Sequence, residues 1–147
     1  MARIDFAFGV EHRLRAACDV VRKHYLAGRR VIVYTRDAQR LAYLDRLLGG
    51  FDPTSFVPHV RHDDPLAVTT AVVLTAESPV ATREHASAPD AWLLNLDLDC
   101  PPDADAFDRI LEIVSNHEDD KAAARNRWRL YQAAGHALHA HDVSGRR

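Results

Sequence analysis

The chain reads as an α/β fold, a mostly parallel sheet between two helical layers (α/β/α), on three observations. Short apolar runs of the kind covered on both faces recur at Val31–Tyr34, Ala71–Leu74 and Trp92–Leu96. Stretches of ten or more residues with helical period separate them. Neither an internal repeat nor a linker divides the 147 residues, so one domain spanning 1–147 is expected.

The elements follow in order. Arg3 to Phe8 alternates as a strand. Glu11 to Ala27 has helical period through Leu14, Cys18, Val21 and Tyr25, and Gly28 is placed to end it. After the Val31 strand, a second helix is predicted from about Asp37 to Leu48, with Leu41, Leu44 and Leu48 inward and Gly49-Gly50 as its stop. Phe51 to Pro65 is turn-rich. Glu77 to Pro89, rich in Ser, Thr, Ala and Pro, is open between loop and irregular helix. Pro102-Asp103 is expected to open a helix that buries Phe107, Ile110, Leu111 and Val114. A last helix is predicted from Glu118 to about His139.

Composition limits the function. Apolar residues make up 47% and charged residues 27%, so the chain is globular. A formal charge of −2 argues against a broad nucleic-acid surface, and tight direct binding to nucleic acid is not expected. Cys18 and Cys100 form no CxxC pair, and Cys18 reads as a small buried hydrophobe. Arg3 and Asp5 interrupt the early apolar stretch, so no signal peptide is expected. No run approaches the roughly 18 apolar residues of a membrane span. The expected setting is cytoplasmic and reducing.

The charge pattern is the most informative feature. Asp97 to Asp120 holds nine carboxylates and one cation, Arg109; Lys121 to His141 holds no carboxylate. At about 100° per residue, Lys121, Arg125, Trp128, Gln132 and Gly135 share one arc of the last helix. Ala123, Leu130 and Ala134 share the opposite arc and are expected to face the core, which sets Trp128 outward between two cations. Such a face suits an acidic, partly apolar ligand: Trp and Arg are frequent binding hot spots, and Arg pairs with carboxylates in bidentate fashion. The solvated basic face is the plainer alternative.

Catalytic motifs are weak by comparison. Six glycines form neither GxGxxG nor GxxxxGK[ST]. Asp97 and Asp99, at a strand end, could hold Mg²⁺ in a small nucleotide- or metal-dependent enzyme, the alternative function. His136, His139 and His141, and separately His59 and His62, are close in sequence but lack Cys or Glu partners at a recognised zinc spacing. Neither a cofactor nor a metal site is expected.

Two segments, Ser55-Phe56-Val57-Pro58-His59 and Arg125-Asn126-Arg127-Trp128-Arg129-Leu130-Tyr131-Gln132-Ala133-Ala134-Gly135, carry a resemblance to a known family. With Gly28, Arg29-Arg30-Val31 and the strand order of the first half, the chain resembles the chi subunit of bacterial DNA polymerase III holoenzyme over nearly its whole length. The resemblance implies a fold related to nucleotide-binding folds without their phosphate loop. It implies a non-catalytic accessory subunit of the clamp-loader assembly with two partners. One is the acidic, phenylalanine-ending tail of single-stranded DNA-binding protein (SSB), and the other is the psi subunit. Carried over by position, the tail-binding groups are Val114, Lys121, Arg125 and Trp128. Trp128 stands where the relatives have tyrosine, keeping a flat wall but losing the hydroxyl. In the psi region Phe56 matches an aromatic of the family. The tryptophan usually found seven residues earlier is Gly49 here, so the psi region keeps one of the family's two aromatics.

Overall fold

A computed structural model of the chain describes residues 1–50 and 56–145. Seven strands form one sheet: β1 (Arg3–Val10), β2 (Val31–Tyr34), β3 (His59–Arg61), β4 (Val72–Thr75), β5 (Trp92–Asn95), β6 (Arg109–Ser115) and β7 (Ala137–Asp142). Their order is β3-β4-β2-β5-β6-β1-β7, and each neighbouring pair is parallel. Among the described residues, four α-helices accompany them: α1 (Arg13–Leu26), α2 (Ala38–Gly49), α3 (Pro79–His85) and α4 (Glu118–Ala133). No helix among the described residues is long and apolar enough to cross a membrane.

The helices divide between the two faces, as a parallel sheet requires. On one face Ala17 and Val21 of α1 and Leu41, Leu44 and Leu48 of α2 pack on Val31, Val33, Val72, Leu74, Leu94 and Leu111. On the other, Ala124 and Tyr131 of α4 pack on Ile4, Phe6, Leu93, Ile110 and Val114, while Ala86, just after α3, lies in the same cluster. Alternation along each strand sends successive side chains to opposite layers. The three-layer α/β reading is therefore the observed architecture.

Local chemistry explains the boundaries. Asp37 caps α2 by accepting hydrogen bonds from the N–H groups of Gln39 and Arg40. The undecided stretch at 77–89 contains a true helix, α3, capped by the Ser78 hydroxyl with Pro79 in its first turn.

Three sequence expectations fail, each for a physical reason. The segment expected to form a helix after Pro102 instead holds a three-residue 3-10 turn, Ala104–Ala106, and then strand β6. Phe107, Ile110, Leu111 and Val114 do have helical spacing. However, the run Ile110-Leu111-Glu112-Ile113-Val114, three of whose five residues are β-branched, is buried on both faces, and a central strand accommodates that. The last helix ends at Ala133 rather than His139. Gly135, at φ 87°, adopts the left-handed conformation, donating to Gln132, while the His136 N–H donates to the Tyr131 carbonyl. Beyond it the chain runs back as β7. Finally, His59–Arg61, inside the turn-rich stretch, forms the edge strand β3. Residues 51–55 of that stretch, Ser55 of the resemblance motif among them, lie outside the described residues.

Candidate functional site: a trough between the last helix and an edge strand

The side chains on the α4 face of the sheet set the floor. Phe6 and Phe8 of β1 pair in register with Ala140 and Asp142 of β7, and Phe8 also lies opposite Val114 of β6. Paired residues in a parallel ladder point to the same face. Phe6, Phe8, Val114, Ala140 and Asp142 therefore form one surface, and α4 covers only part of it. The result is a trough of about 620 Å³, walled on the helix side by Lys121, Ala124, Arg125, Trp128 and Arg129.

Glycine shapes its upper end. Gly9, at φ 93°, sits where the β1–β6 register slips between Phe8 and Val10. A Cβ on Gly9 would stand 2.9 Å from Ser144 Cβ and 3.1 Å from the Asp142 carboxylate, so only glycine lets the chain after β7 close in here. The Ser144 hydroxyl, together with the Ser144 N–H that bonds Asp142 at 3.0 Å, holds that carboxyl below the usual range.

Val114, Lys121, Arg125 and Trp128 all line this trough. Gln132 and Gly135 do not, and the glycine serves to end the helix. The assumed core stripe of α4 is corrected as well. Ala124, Arg127 and Tyr131 are the buried residues, whereas Leu130 is 53% exposed and Ala134 is exposed. Trp128 is not turned away from the core. It packs against Phe6 at a ring separation of 5.2 Å, which fixes one face and leaves it half-buried beside the trough. Lys121 lies 3.8 Å from Glu118, a weak exposed pair. Among the described residues, Arg125 and Arg129 have neither hydrogen bond nor ion pair. Exposed guanidiniums beside Phe8 (41% exposed), Val114 and Trp128 are equipped to hold a carboxylate next to an apolar group.

The sequence reading missed the group that holds α4 to the sheet. Glu112 of β6 is buried beneath the helix. It accepts from Arg127 Nε at 3.1 Å, from the Tyr131 hydroxyl at 2.7 Å and from the Asn95 amide at 2.9 Å. Arg127, fully buried, also donates to the Leu98 carbonyl at 2.9 Å. Its Nη2 lies 3.1 Å from Glu112 yet off the hydrogen-bond direction, so it gains charge attraction without a bond. Burial, reinforced by the Glu112 charge, drives the Tyr131 hydroxyl far above its ordinary pKa and keeps it a donor. A glutamate inside an apolar run, with Arg127 and Tyr131 four apart on the next helix, was the available signal.

The other sequence candidates are separated. Asp97 and Asp99 converge on one guanidinium: Arg36 donates to Asp97 at 2.9 Å and to Asp99 at 2.6 Å. Burial alone would raise the Asp97 carboxyl, but the Arg36 and Thr35 bonds hold it low. No three His, Cys, Asp or Glu side chains among the described residues group as metal ligands. Of the histidines, His141 meets Asp5 at 2.8 Å, and His136 accepts from the Ala2 N–H. Cys18 is half-buried, and burial, then Asp19, pushes its thiol up to about 12. Phe56 is 50% exposed, with its ring 6.0 Å from His59.

Fold and trough together define a parallel α/β protein whose developed cavity lies beside an edge strand, with Arg36 bridging the strand-end carboxylates. Residues 1–139 match the model of the family described as DNA polymerase III chi subunit, HolC. The DNA polymerase III subunit chi of Pseudomonas aeruginosa PAO1 is 28% identical over 147 residues, covering 97% of this chain and 98% of that protein. That of Escherichia coli K12 is 24% identical over 122 residues, covering 82% and 79% respectively. The chain belongs to the DNA polymerase III chi subunit family.

Proposed function

We propose that the chain is a non-catalytic adaptor of the polymerase clamp-loader assembly, docking the acidic C-terminal tail of SSB in the trough beside α4. One observation carries this reading. An apolar well floored by Phe6, Phe8 and Val114 is rimmed by Lys121, Arg125 and Arg129, two of which have no partner among the described residues. A terminal aromatic ring fits the well against Trp128, and burying one contributes about 1.5–3 kcal/mol. Arg125 takes the terminal carboxylate, and Lys121 meets acidic side chains upstream. Each contact is modest, and several tails per SSB assembly raise the effective affinity by multivalency.

A second contact, to the psi subunit, is proposed at Phe56. The supporting observation is that this phenylalanine is half exposed rather than tucked into the core. The enzyme reading at Asp97 and Asp99 finds less support, because Arg36 already cross-links the two carboxylates.

Titration with a peptide copy of the host SSB tail tests the docking site. Arg125→Ala is expected to weaken binding by about 1.5–3 kcal/mol, the range for a lost charge-assisted contact. Unchanged affinity in a folded variant would remove Arg125 from the site.

A further inference from the structure

The outer edge of β7 is the least finished part of the sheet. The N–H groups of Ala137 and Val143 donate inward, to the carbonyls of Ala2 and Phe8 at 3.1 and 3.0 Å. Backbone direction alternates along a strand, so Leu138, Ala140 and Asp142 turn their N–H and C=O groups outward. Among the described residues, no strand takes them, since β7 pairs with β1 alone. β7 carries neither proline nor lysine, two of the usual means of blunting such an edge. The side chains of Leu138, Ala140 and Asp142 lie on the α4 face, and the last two line the trough. The open backbone and the cavity are thus two aspects of the same residues.

We propose that the extended segment preceding the ligand's terminal residue adds to β7 as an eighth strand, while the terminal residue occupies the well. This inference rests on the tail-docking reading and names how the tail is held. The occupant is an acidic, extended peptide because the wall above this edge carries Lys121, Arg125 and Arg129. Asp142, an ionised carboxylate at the upper end of the edge, bars acidic side chains there and confines pairing to the Leu138–Ala140 stretch. Backbone bonds then supply affinity independent of sequence, and alternate side chains face the trough and its cations.

An N-methyl scan of the SSB-tail peptide decides the matter. Methylating one amide at a time should reduce affinity about tenfold at alternate residues and leave those between within about twofold, since only every second N–H points at β7. Ala140→Pro removes a single outward donor, at an edge position that tolerates proline. It is expected to weaken the unmethylated peptide about as much without lowering the melting temperature by more than a few degrees. Uniform tolerance of methylation, or losses without a period of two, would overturn the proposal. So would a concentration-dependent dimer of the free chain that Ala140→Pro dissolves, because the edge would then accept a second copy. The two readings fail differently. If the unmethylated peptide binds and Arg125→Ala weakens it, docking stands whatever the scan shows. If that peptide does not bind, both fall.

Discussion

Arg127 and Arg125, two residues apart on α4, do opposite jobs. Arg127 carries its charge into the helix–sheet interface, where Glu112 and the Leu98 carbonyl receive it. Removing one member of a buried ion pair strands the other, so Arg127→Ala is expected to cost about 3–5 kcal/mol in urea denaturation. Arg125→Ala, at an exposed side chain without a partner among the described residues, should stay within about 0.5 kcal/mol of the parent in stability. Equal losses in the two variants would contradict the division between them. Phe56 gives the matching test at the second surface. Being half exposed, its truncation should leave the melting temperature nearly unchanged, abolish psi capture and spare tail binding. A loss of about 3–5 kcal/mol, typical of a buried phenylalanine, would place Phe56 in the core instead. Which arginine was buried was illegible in the sequence. Periodicity fixes spacing around a helix but not the angle at which the helix meets the sheet, and an error of one position exchanges Ala123 for Ala124.

At the scale of elements, the misread segments share a cause. Ile110, Leu111 and Val114 satisfy helical spacing because β6, buried on both faces, is apolar at four of the five positions from Ile110 to Val114 and so matches either period. The end of α4 differs from the prediction because Gly135, placed by periodicity on an arc of the helix, terminates it instead. His139 and His141, expected at and just beyond the end of the last helix, are regular strand residues on the sheet face opposite the trough. By contrast, α2 was legible at both ends, with Asp37 and Gly49-Gly50 bracketing the Leu41, Leu44 and Leu48 stripe. The end of α3 supplies a test of the capping argument. Ser87 follows the helix at φ 51°, in the position where glycine normally ends a helix, and its N–H donates to the Glu84 carbonyl. Ser87→Gly should therefore stabilise the fold by about 0.5–1 kcal/mol, through relief of the left-handed strain. A destabilised variant in thermal melts would show that the serine side chain is needed there.

The molecule as a whole brings the trough together from strands and a helix far apart in sequence. Phe6 and Phe8 come from the first strand, Val114 from the sixth, Ala140 and Asp142 from the last, and α4 bridges them. Periodicity and charge made Lys121, Arg125 and Trp128 visible as one face, and family resemblance added Val114. The rest of the floor and the outer rim were invisible, because they depend on β1 pairing with both β6 and β7 across more than a hundred residues. That topology also gives the trough its character: an apolar floor next to exposed cations. The most direct test is calorimetric titration of the intact chain with the host SSB-tail peptide and with the same peptide lacking its last residue. The account predicts measurable binding of the full tail and at least about a thirtyfold loss on deletion, ~2 kcal/mol for the ring and the displaced carboxylate. Equal affinity for the two peptides would contradict it, since the trough would then not be reading the terminal residue.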